Sequence, residues 1–197
     1  MKNLIFSVLL IIIVTFNLQA QIDTTKSVLN TLSNTKQSSQ IQLSSDKSQS
    51  TISYVMHHPL QTFSAISKDV TSIILTDEKR NVINQVDVLV KINSFDSKNA
   101  KRDSRIVECT EAMKFPNVSF TSNSISLENN KMIVRGTLNF HGIDQLIAFE
   151  ITKKTIDNKT EVTGNFNVQM TQFKIKPPSL MGIAADDDIK MSFKLFF

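Results

Sequence analysis

The sequence of 197 residues contains a single cysteine, Cys109, and no tryptophan. One cysteine cannot form a disulfide within the chain, so the fold must be held together by its hydrophobic core. Cys109 lies in a segment with helical spacing, and no residue close to it in the sequence would lower the pKa of its thiol. We therefore interpret Cys109 as a buried helix residue and not as a nucleophile.

The chain also lacks the short motifs that mark common enzyme classes. It has no His-Glu-x-x-His, no Gly-x-Ser-x-Gly and no glycine-rich phosphate loop. A zinc site would require its three histidines, His57, His58 and His141, to converge in space. We prefer the interpretation that the first two close a strand and the third occupies a turn, and that Asp186–Asp188 is a solvated loop. The sequence predicts neither an enzyme nor a metal or cofactor site.

Basic charge is scattered along the chain, whose formal net charge is only +4. The densest group consists of Lys98, Lys101, Arg102 and Arg105. A nucleic-acid surface normally needs a stripe of basic residues or a recognisable module. Since neither is present, the sequence argues against nucleic acid as a partner.

The N-terminus carries the one long hydrophobic run. Lys2 precedes apolar residues from Leu4 to Phe16, and the small residue Ala20 follows. This order is typical of a secretory signal peptide, residues 1–20, cleaved after Ala20. The alternative, an uncleaved membrane anchor, normally needs a longer run, and no cysteine near the cleavage point supports a lipid anchor. We predict export to the periplasm or the cell exterior, with no stable membrane anchor after cleavage.

Residues 21–37 are rich in serine, threonine, asparagine, glutamine and lysine. Such a segment buries too little apolar surface to offset the entropy lost on ordering, so it is predicted to be a flexible leader. The remaining residues, 38–197, have the size of one domain. The sequence leaves a monomer and a homodimer both open.

Apolar and polar residues alternate through most of that domain. The clearest case is the segment 131–151, where the alternation runs on both sides of His141-Gly142. A period of two residues is typical of a strand with one buried face, and glycine tolerates the positive φ of a tight turn, so this segment predicts a central hairpin. Further strands are predicted at 40–43, 50–56, 70–75, 82–93, 118–121, 124–127, 161–172 and 189–197.

Eight or so antiparallel strands predict a β-barrel or a β-sandwich. The helical spacing of Ile106, Cys109 and Met113 predicts one helix of about ten to fourteen residues that ends before Pro116. An eight-stranded barrel is either filled by its own side chains or holds one small ligand, and the residues leave that choice open. Strand parity predicts that the side chains of Lys91, Asn139 and Asn167 are exposed. It also predicts eight inward side chains: Val88, Val90, Leu138, Phe140, Phe149, Phe166, Val168 and Phe193.

Three motifs, in this order, resemble those of the YceI-like family of exported bacterial proteins. The first is Arg102-Asp103 followed by a segment ending in Lys114-Phe115-Pro116 and a phenylalanine-containing strand. The second is VRGTLNFHG at 134–142, which is similar to the family's Gly-x-Leu-x-x-His-Gly. The third is Asp187-Asp188-Ile189 before the last alternating strand.

This resemblance implies a mainly β fold, namely an extended, lipocalin-like, antiparallel eight-stranded β-barrel with one packed helix. It also implies that a polyisoprenoid or similar amphiphile binds inside, against the eight inward side chains. The chain departs from the family's pattern at His57–Leu60 and at Gln172–Lys174, near strand ends. We assign His57, His58 and Lys174 to the head-group end of the ligand site, where Lys174 faces either an anionic head group or water.

Two functions of different classes follow from these observations. The first is a periplasmic or secreted carrier or binder of an isoprenoid lipid or quinone, held in the barrel interior. The alternative is a ligand-free structural or stress-protective domain that acts through protein contacts. An enclosed apolar volume of several hundred Å³ would favour the first, and an interior filled by phenylalanines would favour the second.

Overall fold

Most of the chain folds into one antiparallel sheet. The computed structural model describes residues 40–77 and 82–197, so the predicted signal peptide and the leader at 21–37 lie outside the described residues. The strands of the sheet are β1 (Gln40–Ser44), β2 (Thr51–His58), β3 (Gln61–Ser67), β4 (Val70–Asp77), β5 (Val82–Lys91), β6 (Asn117–Glu128), β7 (Lys131–Phe140), β8 (Ile143–Ile156), β9 (Lys159–Gln169) and β12 (Asp188–Phe196).

The strands are ordered β1-β4-β5-β6-β7-β8-β9-β12-β2-β3 across the sheet. The sheet curls around an apolar interior, and its two ends are attached to other parts of the fold. At one end the backbone of Ile66 in β3 pairs with Asp96, and at the other the Asp46 N–H donates to the Phe196 carbonyl at 2.7 Å. A separate short hairpin consists of β10 (Ser179–Leu180) and β11 (Ile183–Ala184).

The predicted central hairpin is confirmed. β7 and β8 pair from Met132–Ile151 to Phe140–Ile143, and the turn residues His141 and Gly142 have φ values of 53° and 71°. Two consecutive residues with positive φ match the twist of the flanking strands. A Cβ at Gly142 would also lie 2.7 Å from the Phe115 ring, so both conformation and space require glycine here.

Within the described residues the sheet has ten strands, whereas eight or so were predicted. The additional β3 was missed because its sequence, QTFSAIS, alternates weakly. In the opposite sense, the two predicted strands at 118–121 and 124–127 are one strand, β6, with an irregularity between Ser122 and Ser124. The Ser122 hydroxyl accepts the Val86 N–H at 2.8 Å, one position beyond the last β5–β6 residue pair, Asp87–Thr121.

The predicted helix is α1 (Ala100–Cys109), which begins after a short 3₁₀ segment at Ile92–Ser94. The Asn99 side chain caps it by accepting the Arg102 N–H at 3.1 Å. Both the backbone N–H and the hydroxyl of Thr110 donate to the Ile106 carbonyl, and the helix ends there. Its ten residues and its end before Pro116 agree with the prediction, whereas Met113, which the helical spacing placed within the helix, lies in the following turn and is exposed. In the described parts of the chain, no helix has the length and hydrophobicity of a membrane span.

Candidate functional site

A cavity of about 130 Å³ lies between the inner face of the sheet and α1. Eight of the ten strands contribute to its wall, and only the two end strands, β1 and β3, do not. The helix contributes Ile106 and Cys109, and the segment before it contributes Phe95. No charged side chain among the described residues lines the cavity. The site is therefore an apolar surface formed mainly by strands.

All eight side chains that were predicted to point inward lie on this wall. They are Val88, Val90, Leu138, Phe140, Phe149, Phe166, Val168 and Phe193. Of the three side chains that were predicted to be exposed, Lys91 and Asn167 are exposed and Asn139 is half-buried. The structure thus brings the eight residues together, and their contact with a ligand stays a prediction.

Four phenylalanine rings occupy part of the interior. The Phe149 ring is nearly parallel to the Phe166 ring, with centroids 4.9 Å apart, and it also contacts Phe120 at 5.2 Å and Phe193 at 5.8 Å. Gly164 makes room for this cluster, since a Cβ at that position would lie 2.6 Å from Cζ of Phe193. The ring of Phe193 therefore packs directly against the backbone of β9.

The cavity volume limits what fits without movement. An apolar cavity of about 150 Å³ accommodates a benzene molecule, which is comparable in size to one isoprene unit. The cavity of about 130 Å³ is smaller than the several hundred Å³ that would clearly indicate a ligand tunnel. A longer lipid needs more space than this cavity provides.

Three side chains with a hydroxyl group, Tyr54, Thr110 and Ser119, line the cavity, and none of them was predicted as a site residue. Tyr54 is only 6% exposed, and its hydroxyl has no hydrogen-bond partner within the described residues. Its ring packs against Phe95, with centroids 5.4 Å apart. Burial raises the pKa of Tyr54 to about 12, an effect that the Asp103 carboxylate increases and the Arg102 guanidinium opposes. The sequence offered one signal for this residue, a lone tyrosine on the inward parity of β2.

The three residues assigned to the head-group end do not line the cavity. His57 is exposed, with Nδ1 3.0 Å from Oδ2 of Asp186. His58 is buried; its Nε2–H donates to the Ile183 carbonyl at 2.9 Å and its Nδ1 accepts the Leu60 N–H at 3.1 Å, which defines the neutral tautomer. Lys174 is exposed, at φ 57° after the 3₁₀ segment Met170–Phe173. Their proposed role at a head group stays a prediction.

The third histidine occupies the hairpin turn, as expected. Nδ1 of His141 donates to the Phe173 carbonyl at 2.9 Å, and its ring packs edge-on against Phe115. Its Nε2 is buried, with Oε1 of Glu111 at 3.6 Å. Among residues 40–77 and 82–197, no three His, Cys, Asp or Glu side chains are grouped as they would be in a metal site.

The acidic triplet is tied into the loops that it joins. Asp186 pairs with His57, and Asp187 accepts both the backbone N–H and the hydroxyl of Thr171, at 2.9 and 2.6 Å. Asp188 begins β12. These contacts give the first two carboxylates a structural role at the start of the last strand.

Comparisons with known proteins agree with this architecture. The family model described as YceI-like domain matches residues 43–197. "Protein YceI" from Salmonella arizonae is 32% identical over 85 residues, which is 42% of this chain and 44% of that protein. The same values hold for "Protein YceI" from Salmonella newport. The match thus spans less than half the length of these curated relatives.

Two solved structures are similar in fold. BcnA of Burkholderia cenocepacia superposes with a TM-score of 0.69 at 16% identity, covering 78% of this chain and 99% of BcnA. A domain from Saccharophagus degradans, described as polyisoprenoid binding and implicated in plant cell wall breakdown, gives a TM-score of 0.64 at 14% identity. That superposition covers 78% of this chain and 95% of the domain. At these identities the likeness shows the fold.

Proposed function

This chain belongs to the YceI-like domain family, and from that premise we propose that it binds an isoprenoid lipid, a quinone or a similar amphiphile in its cavity. The observation that carries the proposal is the uncharged wall to which eight strands and α1 contribute. The printed description of the Saccharophagus degradans domain as polyisoprenoid binding supports the same ligand class.

An isoprenoid tail suits such a wall for a simple physical reason. The tail has no hydrogen-bonding groups, so an apolar surface leaves none of its atoms unsatisfied. Burial contributes about 25 cal/mol for each Å² of apolar surface removed from water. A charged group on the wall would oppose binding, because an unpaired charge in an apolar site costs several kcal/mol. The wall offers shielding from water, which is what a carrier or binder requires.

The phenylalanine cluster of Phe120, Phe149, Phe166 and Phe193 is relevant to the small size of the cavity. In the structure these rings fill space that a long tail would need. We propose that they turn aside when a lipid enters, so that the tail replaces contacts among the rings. Phe166 and Phe193 lie on neighbouring strands, β9 and β12, and would move together.

Mass spectrometry of organic extracts tests the proposal. The protein is purified from its native host without detergent, and its extract is compared with that of a variant in which Phe166→Glu places a charge on the wall. We expect a prenyl lipid in the extract of the unmodified protein and its loss from the variant. Absence of lipid from the unmodified protein, together with no uptake of added squalene, would contradict the proposal.

A ligand-free structural or stress-protective domain remains the second candidate function. The specific observation in its favour is the modest cavity of about 130 Å³ beside four packed rings. This alternative predicts that added lipids leave the unfolding temperature unchanged. Lipid binding predicts a rise that grows with lipid concentration, because a ligand that binds only the folded state stabilises it by mass action.

We also propose that the protein acts outside the cytoplasm, on the basis of the signal-peptide pattern at 1–20. N-terminal sequencing of protein recovered from the periplasm or the medium tests this proposal. The expected new terminus is Gln21. Recovery of an intact Met1 in the membrane fraction would support the anchor instead.

A further inference from the structure

The β10–β11 hairpin is separate from the main sheet and carries apolar side chains into solvent. Residues 179–184 are all exposed, and Met181 at the turn is 85% exposed. Leu180 and Ile183 lie on either side of the turn and are exposed as well. A Cβ at Gly182 would lie within 4 Å of no described atom beyond its chain neighbours, so the turn lies in open space. We call Leu180, Met181 and Ile183 the apolar tip.

The turn of this hairpin has an unfavourable residue. Met181 and the glycine after it both have positive φ, a conformation in which asparagine, aspartate or glycine is usual at the first position. The β6–β7 turn has Asn129 and Asn130 at its two positive-φ positions, and the β8–β9 turn has Asp157 and Asn158. An exposed methionine gains nothing there from packing and is strained relative to asparagine. The fold itself therefore gives no reason for this side chain.

The base of the hairpin is fixed to the protein beside the cavity. The Ala185 N–H donates to the Pro178 carbonyl at 2.9 Å, and Pro178 lines the cavity. The buried His58 ring donates to the Ile183 carbonyl at 2.9 Å and accepts the Leu60 N–H at 3.1 Å. This ring therefore holds Leu60, which is 53% exposed, close to the apolar tip. The exposed apolar surface thus adjoins the cavity wall.

Two lysines precede the hairpin in the chain. Lys174 and Lys176 are exposed, and neither forms an ion pair with another described residue. The nearest carboxylates in the sequence are engaged within the protein, since Asp186 pairs with His57 and Asp187 accepts two hydrogen bonds. Ammonium groups beside an apolar surface complement the head groups of anionic lipids.

We propose that the apolar tip inserts into the surface of an anionic lipid bilayer, with Lys174 and Lys176 against the lipid head groups. A protein partner is disfavoured, because a specific protein interface buries about 800 Å² on each side and one turn offers far less. Docking would let a lipid pass between the bilayer and the cavity without crossing bulk water. That purpose rests on the proposed function, whereas docking itself does not.

Sedimentation with vesicles tests the docking surface. The protein and its variants are purified from the native host without detergent, so that all carry the same N-terminus. They are mixed with vesicles of phosphatidylcholine alone or of phosphatidylcholine with phosphatidylglycerol. The variants are Met181→Asn, the pair Lys174→Gln/Lys176→Gln, and the matched control Leu127→Asn. Leu127 is also exposed but lies beside the β6–β7 turn, at the opposite end of the strands.

We expect Met181→Asn to weaken binding to the mixed vesicles about tenfold, because an apolar side chain no longer leaves water. Its unfolding temperature should stay the same or rise, since asparagine suits the turn. The lysine pair should weaken binding about five- to twentyfold on the mixed vesicles and little on phosphatidylcholine alone. Leu127→Asn should have no effect. No binding by the unmodified protein, or equal losses with Met181→Asn and Leu127→Asn, would overturn the inference.

Squalene carried in the mixed vesicles separates this inference from the proposed function. Met181→Asn should slow squalene transfer to the protein by about the factor found for vesicle binding, and leave the final amount unchanged. Vesicle binding through the tip without any squalene uptake would refute the proposed function and leave the docking surface in place. Equal transfer rates for the two proteins would overturn the role of docking in lipid delivery.

A fluorescence measurement locates the contact on the protein. The chain contains no tryptophan, so Met181→Trp supplies a single fluorophore at the tip. We expect its emission to move to shorter wavelength with the mixed vesicles and to be quenched by brominated lipids. The emission of Leu127→Trp should show neither change. A tip fluorophore that does not respond while the protein sediments with vesicles would assign binding to another surface and overturn the inference.

Discussion

The two faces of the curled sheet are built from the same strands but carry opposite chemistry. On the inner face, β7, β8 and β9 present only uncharged side chains to the cavity. On the outer face ion pairs join these strands to one another or to β6 and β12: Arg135 with Glu128 at 2.7 Å, Lys131 with Glu150 at 2.9 Å and Lys194 with Glu161 at 3.8 Å. The effect of a substitution should therefore depend much more on the face of the sheet that the residue occupies than on its position along the chain.

The largest expected difference between the two faces should appear when a glutamate replaces either of two adjacent residues, Phe166 or Asn167. Phe166→Glu puts a carboxylate against the apolar wall, whereas Asn167→Glu puts it on the exposed side, opposite Lys190 of β12. We expect the first to lower the free energy of unfolding by about 3 to 5 kcal/mol and to abolish lipid uptake. The second should change stability by about 0.5 kcal/mol or less. Chemical denaturation and squalene uptake measure both effects.

A third variant separates loss of binding from loss of folding. Phe166→Leu keeps the wall apolar, and core substitutions of this type are among the less costly. Its lipid uptake should remain close to that of the unmodified protein. If Phe166→Leu loses lipid as completely as Phe166→Glu, a specific aromatic contact and not apolarity governs binding.

A smaller effect is expected from crowding the inner face without adding charge. In Gly164→Ala the new methyl group would lie 2.6 Å from Phe193 Cζ and 3.0 Å from the Glu150 carbonyl oxygen, so the ring must shift into the cavity. We expect a stability loss of about 1–3 kcal/mol from overpacking, and weaker lipid binding. Denaturation and squalene uptake provide the measurement.

The double variant Gly164→Ala/Phe193→Leu is the matched control for this crowding. Replacing the ring removes its clash with the methyl group, so the cost of the two changes together should be less than the sum of the separate costs. Strict additivity would mean that the methyl group disturbs the backbone at Glu150 and leaves the ring in place.

The cavity also has a chemical reporter on its helical side. Cys109 is the only thiol and lines the cavity, and burial raises the pKa of this thiol, which makes it less reactive. We expect the rate of its reaction with a chromogenic disulfide at constant pH to fall several-fold when squalene is bound. Protein unfolded in denaturant should react at the same rate with and without squalene. An unchanged rate in the folded protein would place the lipid away from α1.

The smallest effect is expected from the outer face, in acid. Hydrogen bonds from Arg135 and Ser126 lower the pKa of Glu128 to about 2 from its ordinary 4.5. Since the folded-state pKa is lowered, the contribution of Glu128 to stability is present above pH 4.5 and is lost as the pH falls towards 2. Glu128→Gln should flatten this part of the acid dependence of the unfolding free energy and leave lipid uptake unchanged. A change in lipid uptake would contradict the separation of the two faces.

Strand parity was sufficient to predict the inner wall. Leu138 and Phe166 lie where a period of two residues places them, because a slip of one residue would expose the whole apolar face. The hairpin turn could be predicted as well, because the alternation of apolar and polar residues ends at His141 and is followed by Gly142. These features depend on residues that are neighbours in sequence or directly paired.

The remaining features depend on parts of the chain that are distant in sequence. Within the described residues the Tyr54 hydroxyl has no hydrogen-bond partner, and the ring that packs on Tyr54 belongs to Phe95, some forty residues later. The partners of His58 come from the following turn and from Ile183 in β11. Met113 lies outside the helix because the helix already ends at Thr110, six residues before Pro116. The pattern of apolar residues contains none of this information.

The central claim is that a lipid tail occupies the inner face, and methyl resonances test it most directly. Leucine and valine methyl groups are isotope-labelled, and their chemical shifts are followed as squalene is added. We predict that Leu138, Val88 and Val168, on the cavity wall, shift until binding saturates, while the exposed Leu127 and Leu146 do not. Saturable shifts at the two exposed leucines, with none at the three wall residues, would contradict the account.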